Sequence, residues 1–132
     1  MKILVTGADG LLGSNLVREL LKRGHQLRAF VQPGRQQKTL EGLTIEKFPG
    51  NLLNADEVLT SSEGCDAVIH CAASTSVWPT RSEIVNKVNI EGTKNIIHAV
   101  QKNNIQRMIY VGTANSFRFW LKRKSGSGRQ SL

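Results

Sequence analysis

The sequence predicts an α/β fold: a three-layer, open parallel sheet with helices on both faces, ending after a fifth strand. Three observations carry this expectation. Short apolar, β-prone runs alternate with stretches of helical hydrophobic period. One of those runs, 66–73, is apolar almost throughout, as strands covered on both faces are. Three glycines also follow the first run within seven positions, where a strand would turn into a helix. Strands separated by helices pair in parallel through right-handed crossovers.

In chain order, "KILVT" (2–6) is the first strand, and Leu12, Leu16, Val17, Leu20 and Leu21 recur at helical spacing over 11–23. "KRG" closes that helix with basic residues in its last turn and Gly24 beyond. "QLRAFV" (26–31) alternates as a second strand ended by "QPG", and "LTIEKF" (43–48) is a third. Asn54 with Glu57 three residues on has the spacing of a capping box, which predicts a short helix after it. "DAVIHCAA" (66–73) is the fourth strand, and Pro79 interrupts the loop that follows. From Ser82 to Asn103 the stripe Ile84, Val85, Val88, Gly92, Ile96, Ile97 and Val100 predicts a long helix, and "QRMIYVGT" (106–113) a fifth, buried strand.

Gly7, Gly10 and Gly13 in "LVTGADGLLGSNL" fit phosphate chemistry. A phosphate needs close main-chain approach and unpaired N–H donors, both available where a strand turns into an exposed helix N-terminus. Gly7 permits the tight turn, Gly10 lets the main chain lie against a pyrophosphate, and Gly13 lets the helix pack close to the strand. In open α/β sheets such ligands sit beyond the carboxyl ends of the strands, where strand order reverses.

Composition narrows the alternatives. The 132 residues carry a formal charge of +8. Residues 1–116 hold 13 Lys and Arg against 10 Asp and Glu, whereas 118–132 hold five basic residues and no acid. The basicity belongs mainly to the tail, so nucleic acid is not expected as a partner of the body. No run of 18 apolar residues exists, and "MKILVTG" is too short for a secretory leader; no membrane contact and a cytoplasmic location are expected. Cys65 and Cys71 lack metal-type spacing and read as buried thiols, and His70, inside an apolar strand, as a hydrogen-bonded core residue. No metal site is expected.

The spacing Thr-Gly-x-x-Gly-x-x-Gly of "TGADGLLG", followed in order by "GNLLN" (50–54), "DAVIHCAA" (66–73), "VNIEGTKNI" (88–96) and "RMIYVGTANSF" (107–117), resembles the extended short-chain dehydrogenase/reductases. These are the NAD(P)-dependent sugar epimerases, dehydratases and dihydroflavonol-reductase-like enzymes, with a Rossmann-type fold. "RAFVQPGR" and "STSVW" look most like the reductase branch. The resemblance implies that main-chain groups around Gly7, Gly10, Leu11 and Leu12 hold the pyrophosphate. It places Asn51, with Leu52 beside it, at the adenine, where relatives have aspartate. Cys71, Ala72 and Ala73 would line the adenosine side, Asn89 would brace the active site, and Thr113 matches the Ser/Thr that hydrogen-bonds the reacting oxygen. A nicotinamide dinucleotide is the implied partner.

Cofactor choice rests on charge. NAD sites place an acid after the second strand for the ribose 2'-hydroxyl, and NADP sites supply a cation instead. After "LRAFV" come Gln32, Pro33, Gly34 and Arg35, with no acid until Glu41. NADP is therefore expected, with NAD the alternative, and Arg35 is the expected phosphate partner, ahead of Lys38.

The resemblance also implies a tyrosine general acid/base with a lysine four residues on, beyond Thr113. The sole tyrosine is Tyr110, followed four places later by Ala114. The expected organisation is an incomplete NAD(P)-binding domain over 1–117 and a basic, disordered tail over 118–132 outside the family pattern. Phe117–Trp120 reads as a Phe-Gly-Phe-Gly coding run shifted by one base. Such a chain binds a dinucleotide but is inactive alone, and a small-molecule substrate belongs to a full-length relative. Apolar side chains of "MIYVG" and of the 84–100 helix would be left partly uncovered. The alternative is a noncatalytic nucleotide-binding module whose basic tail contacts nucleic acid or an anionic surface. Substrate and oligomeric state are left open.

Overall fold

The computed structural model describes residues 1–74 and 83–112. Five strands, β1 (Lys2–Thr6), β2 (Gln26–Val31), β3 (Glu46–Pro49), β4 (Ala67–His70) and β5 (Arg107–Tyr110), form one sheet in the order β3-β2-β1-β4-β5. All four pairings are parallel. The connecting helices are α1 (Leu11–Lys22), α2 (Ala55–Ser62) and α3 (Glu83–Lys102), with a short 3-10 turn at Lys38–Leu40. The chain builds outward from β1 to β3, then returns to lay β4 on the other side of β1, so strand order reverses between β1 and β4.

Register divides the core into two. Ile3 pairs with Leu27 and Val5 with Ala29, and these residues pack with Val17 of α1 on one face. Leu4, Phe30 and Val68 face the other way, onto Val58 of α2 and Ile96 and Ala99 of α3. Because side chains alternate along a strand, one apolar run serves both layers.

Several boundaries and exposures differ from the sequence expectations. The third strand begins at Glu46 rather than Leu43, because Ile45 N–H donates to the Leu43 carbonyl in a tight turn while both side chains pack on the α1 face. The capping box is half formed. Asn54 Oδ1 accepts from the Asp56 and Glu57 amides, but Glu57 Oε2 accepts from Asn51 N–H at 2.7 Å instead of returning to the cap. Among the described residues β5 is a sheet edge rather than a strand buried on both faces, and Ile109 (49% exposed) and Tyr110 (54%) are partly uncovered, as expected of the "MIYVG" run. On α3, Ile84 and Ile97 are exposed, the partial uncovering expected of this helix, while Ala99 takes a core position. Cys65 is buried, Cys71 half-buried, and both are free. Pro79, Trp78, Thr113 and the basic tail lie outside the described residues.

Arg28, on the α2 face of β2, ties this layer together. Its Nη1 donates to the Ser61 (2.6 Å) and Glu63 (2.9 Å) carbonyls at the α2 C-terminus, where a cation also offsets the helix dipole. Its Nε lies 2.9 Å from Glu46 Oε1, an ion pair without hydrogen-bond alignment. Arg28, with Lys2 beside it, holds the Glu46 carboxyl below the usual carboxylate range. Arg28→Met is expected to lower unfolding free energy by about 2 to 3 kcal/mol, because two carbonyls lose their donor and the Glu46 carboxylate loses an ion-pair partner. Arg28→Lys should restore less than half, since an ammonium cannot span all three acceptors. Urea titrations of the three proteins measure both values.

Candidate functional site

At the carboxyl ends of β1 and β4, where strand order reverses, a cleft of about 1040 Å³ opens beside the glycine turn. The turn's shape follows from two glycines. Gly7 has φ +66°, and a Cβ there would fall 2.7 Å from the Ala72 amide nitrogen. A Cβ on Gly13 would fall 2.0 Å from the Gly7 carbonyl oxygen, so α1 approaches β1 at backbone contact. Gly10 donates its amide to the Gly7 carbonyl (3.1 Å) and serves as the N-cap of α1.

The N-terminus of α1 differs from that of α2. α2 carries the Asn54 cap and two acidic residues in its first turn. α1 has neither a side-chain cap nor an acid in its first turn. The first amides of a helix lack partners within it, so at α1 they are open to solvent or a ligand, and the helix dipole favours an anionic one.

Of the residues expected from sequence, Gly7, Gly10, Leu11, Arg35, Asn51 and Leu52 line this cleft, as do Cys71, Ala72 and Ala73. Leu12 and Gly13 stand outside the lining; Gly13 acts behind it, as packing. Asn51 Oδ1 already accepts from the Leu53 amide (2.9 Å), and Asn95 Nδ2 donates to the Leu52 carbonyl (2.8 Å), so α3 fixes this turn. Burial pushes the Cys71 thiol up, which makes it a wall of the cleft rather than a nucleophile. Lys38 does not reach the lining, whereas Asp9, which sequence reasoning passed over, does. The overlooked signal is that Asp9 is the one acid within the glycine turn.

Asn89 stands behind the cleft wall. Its Oδ1 accepts from the Ser74 amide (2.7 Å) and its Nδ2 donates to the Ser74 carbonyl (3.0 Å), holding the segment after β4 against α3. Behind it runs a directional hydrogen-bond chain. Thr93 Oγ1 donates to the Asn89 carbonyl (2.8 Å), so it accepts from His70 Nε2–H (2.9 Å). His70 Nδ1 then accepts from the Thr6 hydroxyl (2.6 Å), whose oxygen accepts from the Ala72 amide (3.2 Å). The neutral Nε2–H tautomer satisfies every member. Burial lowers the ring's pKa to about 4, which keeps it neutral near pH 7. His70 is thus the hydrogen-bonded core residue expected; Thr6 and Thr93, its partners, were not anticipated.

Among the described residues, no cluster of His, Cys, Asp and Glu is placed to hold a metal ion, and no helix is long and apolar enough to cross a membrane.

An open parallel sheet with an uncapped helix and a glycine turn at its switch point defines a doubly wound, Rossmann-type nucleotide-binding fold. The model of the NAD dependent epimerase/dehydratase family matches residues 3–117, and the chain belongs to that family. A Synechocystis sp. protein carrying the provisional name dihydroflavonol 4-reductase is 37% identical over 109 residues, which are 83% of this chain and 32% of that one. The crystal structure of gox2253 superposes with a TM-score of 0.81 at 32% identity, covering 88% of this chain and 35% of the other. That of the Bordetella bronchiseptica enzyme WbmH in complex with NAD+ gives 0.75 at 28% identity, covering 86% and 39%. The chain spans about a third of the length of the curated relatives it matches.

Proposed function

We propose that these residues form the dinucleotide-binding part of an NADP-dependent oxidoreductase or epimerase that acts on a carbonyl–alcohol pair. The observation that carries the reading is the glycine turn: Gly7 in the left-handed region and Gly13 at backbone contact with it leave a bare main chain at the uncapped start of α1. That surface suits a diphosphate, which is anionic and needs N–H donors rather than side chains. Leu11 opens the cleft there, Asn51 and Leu52 bound its adenine side, and Cys71–Ala73 form the opposite wall. Asn89 positions that wall through Ser74. Arg35, two-thirds exposed at the rim, is the cation for a 2'-phosphate, which favours NADP over NAD. When bound, a nicotinamide dinucleotide supplies hydride transfer. Thr113 retains the proposed role of hydrogen-bonding the reacting oxygen.

Turnover is assigned to a longer protein. The tyrosine–lysine pair that the family resemblance implies is not among these 132 residues, whose sole tyrosine is Tyr110 in β5. Isothermal titration calorimetry of this chain with NADPH and NADH is expected to show one-site binding of both, tighter for NADPH. Absorbance at 340 nm is expected to hold steady when aldehydes or ketones are added. No heat with either nucleotide would remove the reading.

A further inference from the structure

The charges in the cleft carry one more inference, which rests on the dinucleotide reading above. Among the described residues that line it, Asp9 and Arg35 are the two with charged side chains. They face each other, Arg35 Nη1 lying 3.9 Å from Asp9 Oδ2. The Asp9 side chain is 13% exposed and that of Arg35 is 68%. Side-chain ties to the main chain set this juxtaposition. Thr39 Oγ1 donates to the Asp9 carbonyl (2.9 Å), while Arg18 of α1 donates to the Thr39 (2.6 Å) and Ser14 (3.0 Å) carbonyls. The segment after β2 is strapped to the glycine turn, and the turn closed by Arg35 N–H on the Gln32 carbonyl (3.3 Å) sets Arg35 over the carboxylate.

We propose that Asp9 is a specificity-determining residue: it occupies Arg35 in the free cleft and so limits the advantage of a dinucleotide with a phosphate on its adenosine ribose over one with a hydroxyl. A phosphate drawn to Arg35 also meets the Asp9 carboxylate a few Å away. Attraction and repulsion then act over similar distances and largely offset. A hydroxyl brings no charge, and it is a donor that a carboxylate accepts. Arg35 alone favours the phosphate; Asp9 sets by how much.

The test uses dissociation constants for NADPH and NADH by calorimetry on the full chain, its Asp9→Asn and Arg35→Gln variants and the double variant. Far-UV circular dichroism checks each fold, and Asp9→Ser provides a second removal of the charge. Both Asp9 variants are expected to raise the ratio of NADPH to NADH affinity about tenfold. Part of that gain should be lost in the Arg35→Gln background, because the competition for the guanidinium disappears there while the carboxylate still repels the phosphate. A ratio unchanged in both Asp9 variants, or a gain equally large without Arg35, overturns the inference and leaves dinucleotide binding intact. Failure of the unmutated chain to bind either nucleotide overturns both.

Discussion

Gly13→Ala is expected to destabilise the fold by about 3 kcal/mol or more and to abolish dinucleotide binding. The added Cβ would lie 2.0 Å from the Gly7 oxygen, 2.8 Å from the Gly7 carbonyl carbon and 2.9 Å from Ala8 Cα. All three are backbone atoms, so no side chain can rotate away. Relief requires α1 to move off β1, which opens the packing of Val17 against Val5 and Ala29. It also distorts the bend that Gly7 and Gly10 close with a hydrogen bond. Stability and binding therefore fall together. Gly24→Ala is the internal control. Gly24 has a positive φ (+78°), which Gly13 does not, but nothing within 4 Å of a Cβ, so it should cost only about 1 kcal/mol, with affinity retained. Thermal melts and NADPH titrations of the two variants measure the contrast. Equal stabilities would show that α1 does not depend on contact with the turn.

Acidification from pH 7 to pH 4 is expected to remove about 3 kcal/mol of stability through His70 alone. The ring titrates near 4 when folded and at the ordinary value of 6.5 when unfolded, burial being the cause. The unfolded chain therefore takes up the proton first. His70's contribution is complete above about pH 6.5, declines as pH falls toward 4, and levels off below that. Protonation also breaks a specific link: an imidazolium has no acceptor at Nδ1, so the Thr6 hydroxyl loses the partner it donates to at 2.6 Å. Glu46 adds to the acid loss in the same direction, because its lowered carboxyl pKa gives stability that disappears as pH falls through the folded value. His70→Gln keeps an acceptor and a donor but cannot take a proton in this range. Urea titrations at pH 7 and pH 4 should show a clearly smaller acid loss for the variant. At pH 7 the variant should be about 1 to 3 kcal/mol less stable, since a carboxamide cannot match the ring's fit to Thr6 and Thr93. An undiminished acid loss would assign the titration to other groups.

Local pattern was enough for most of the fold. β1 and β2 have the bounds their apolar runs predict, α1 ends within a residue of the expected end, and Asn54 caps α2. Alternation and helical period report which residues turn toward a core, and they act over a few neighbouring positions. The glycine turn was legible for a related reason. A positive φ at Gly7 and the close approach at Gly13 demand residues without a side chain, and that demand is written directly in the composition.

Properties that depend on partners distant in the chain were not legible. The partial exposure of Ile109 and Tyr110 was expected only through the family resemblance; their apolar run by itself reads alike in a central or an edge strand. Thr6 and Thr93 lie 64 and 23 residues from His70, so nothing local couples the three. Asp9 and Arg35 are likewise apart in sequence; a search for acids after β2 could not see one arriving from the turn after β1. Near-neighbour physics, acting through periodicity, caps and glycines, set the elements and the phosphate-type bend. Strand order and crossover geometry set which buried polar and charged groups meet, and with them the electrostatics of the cleft.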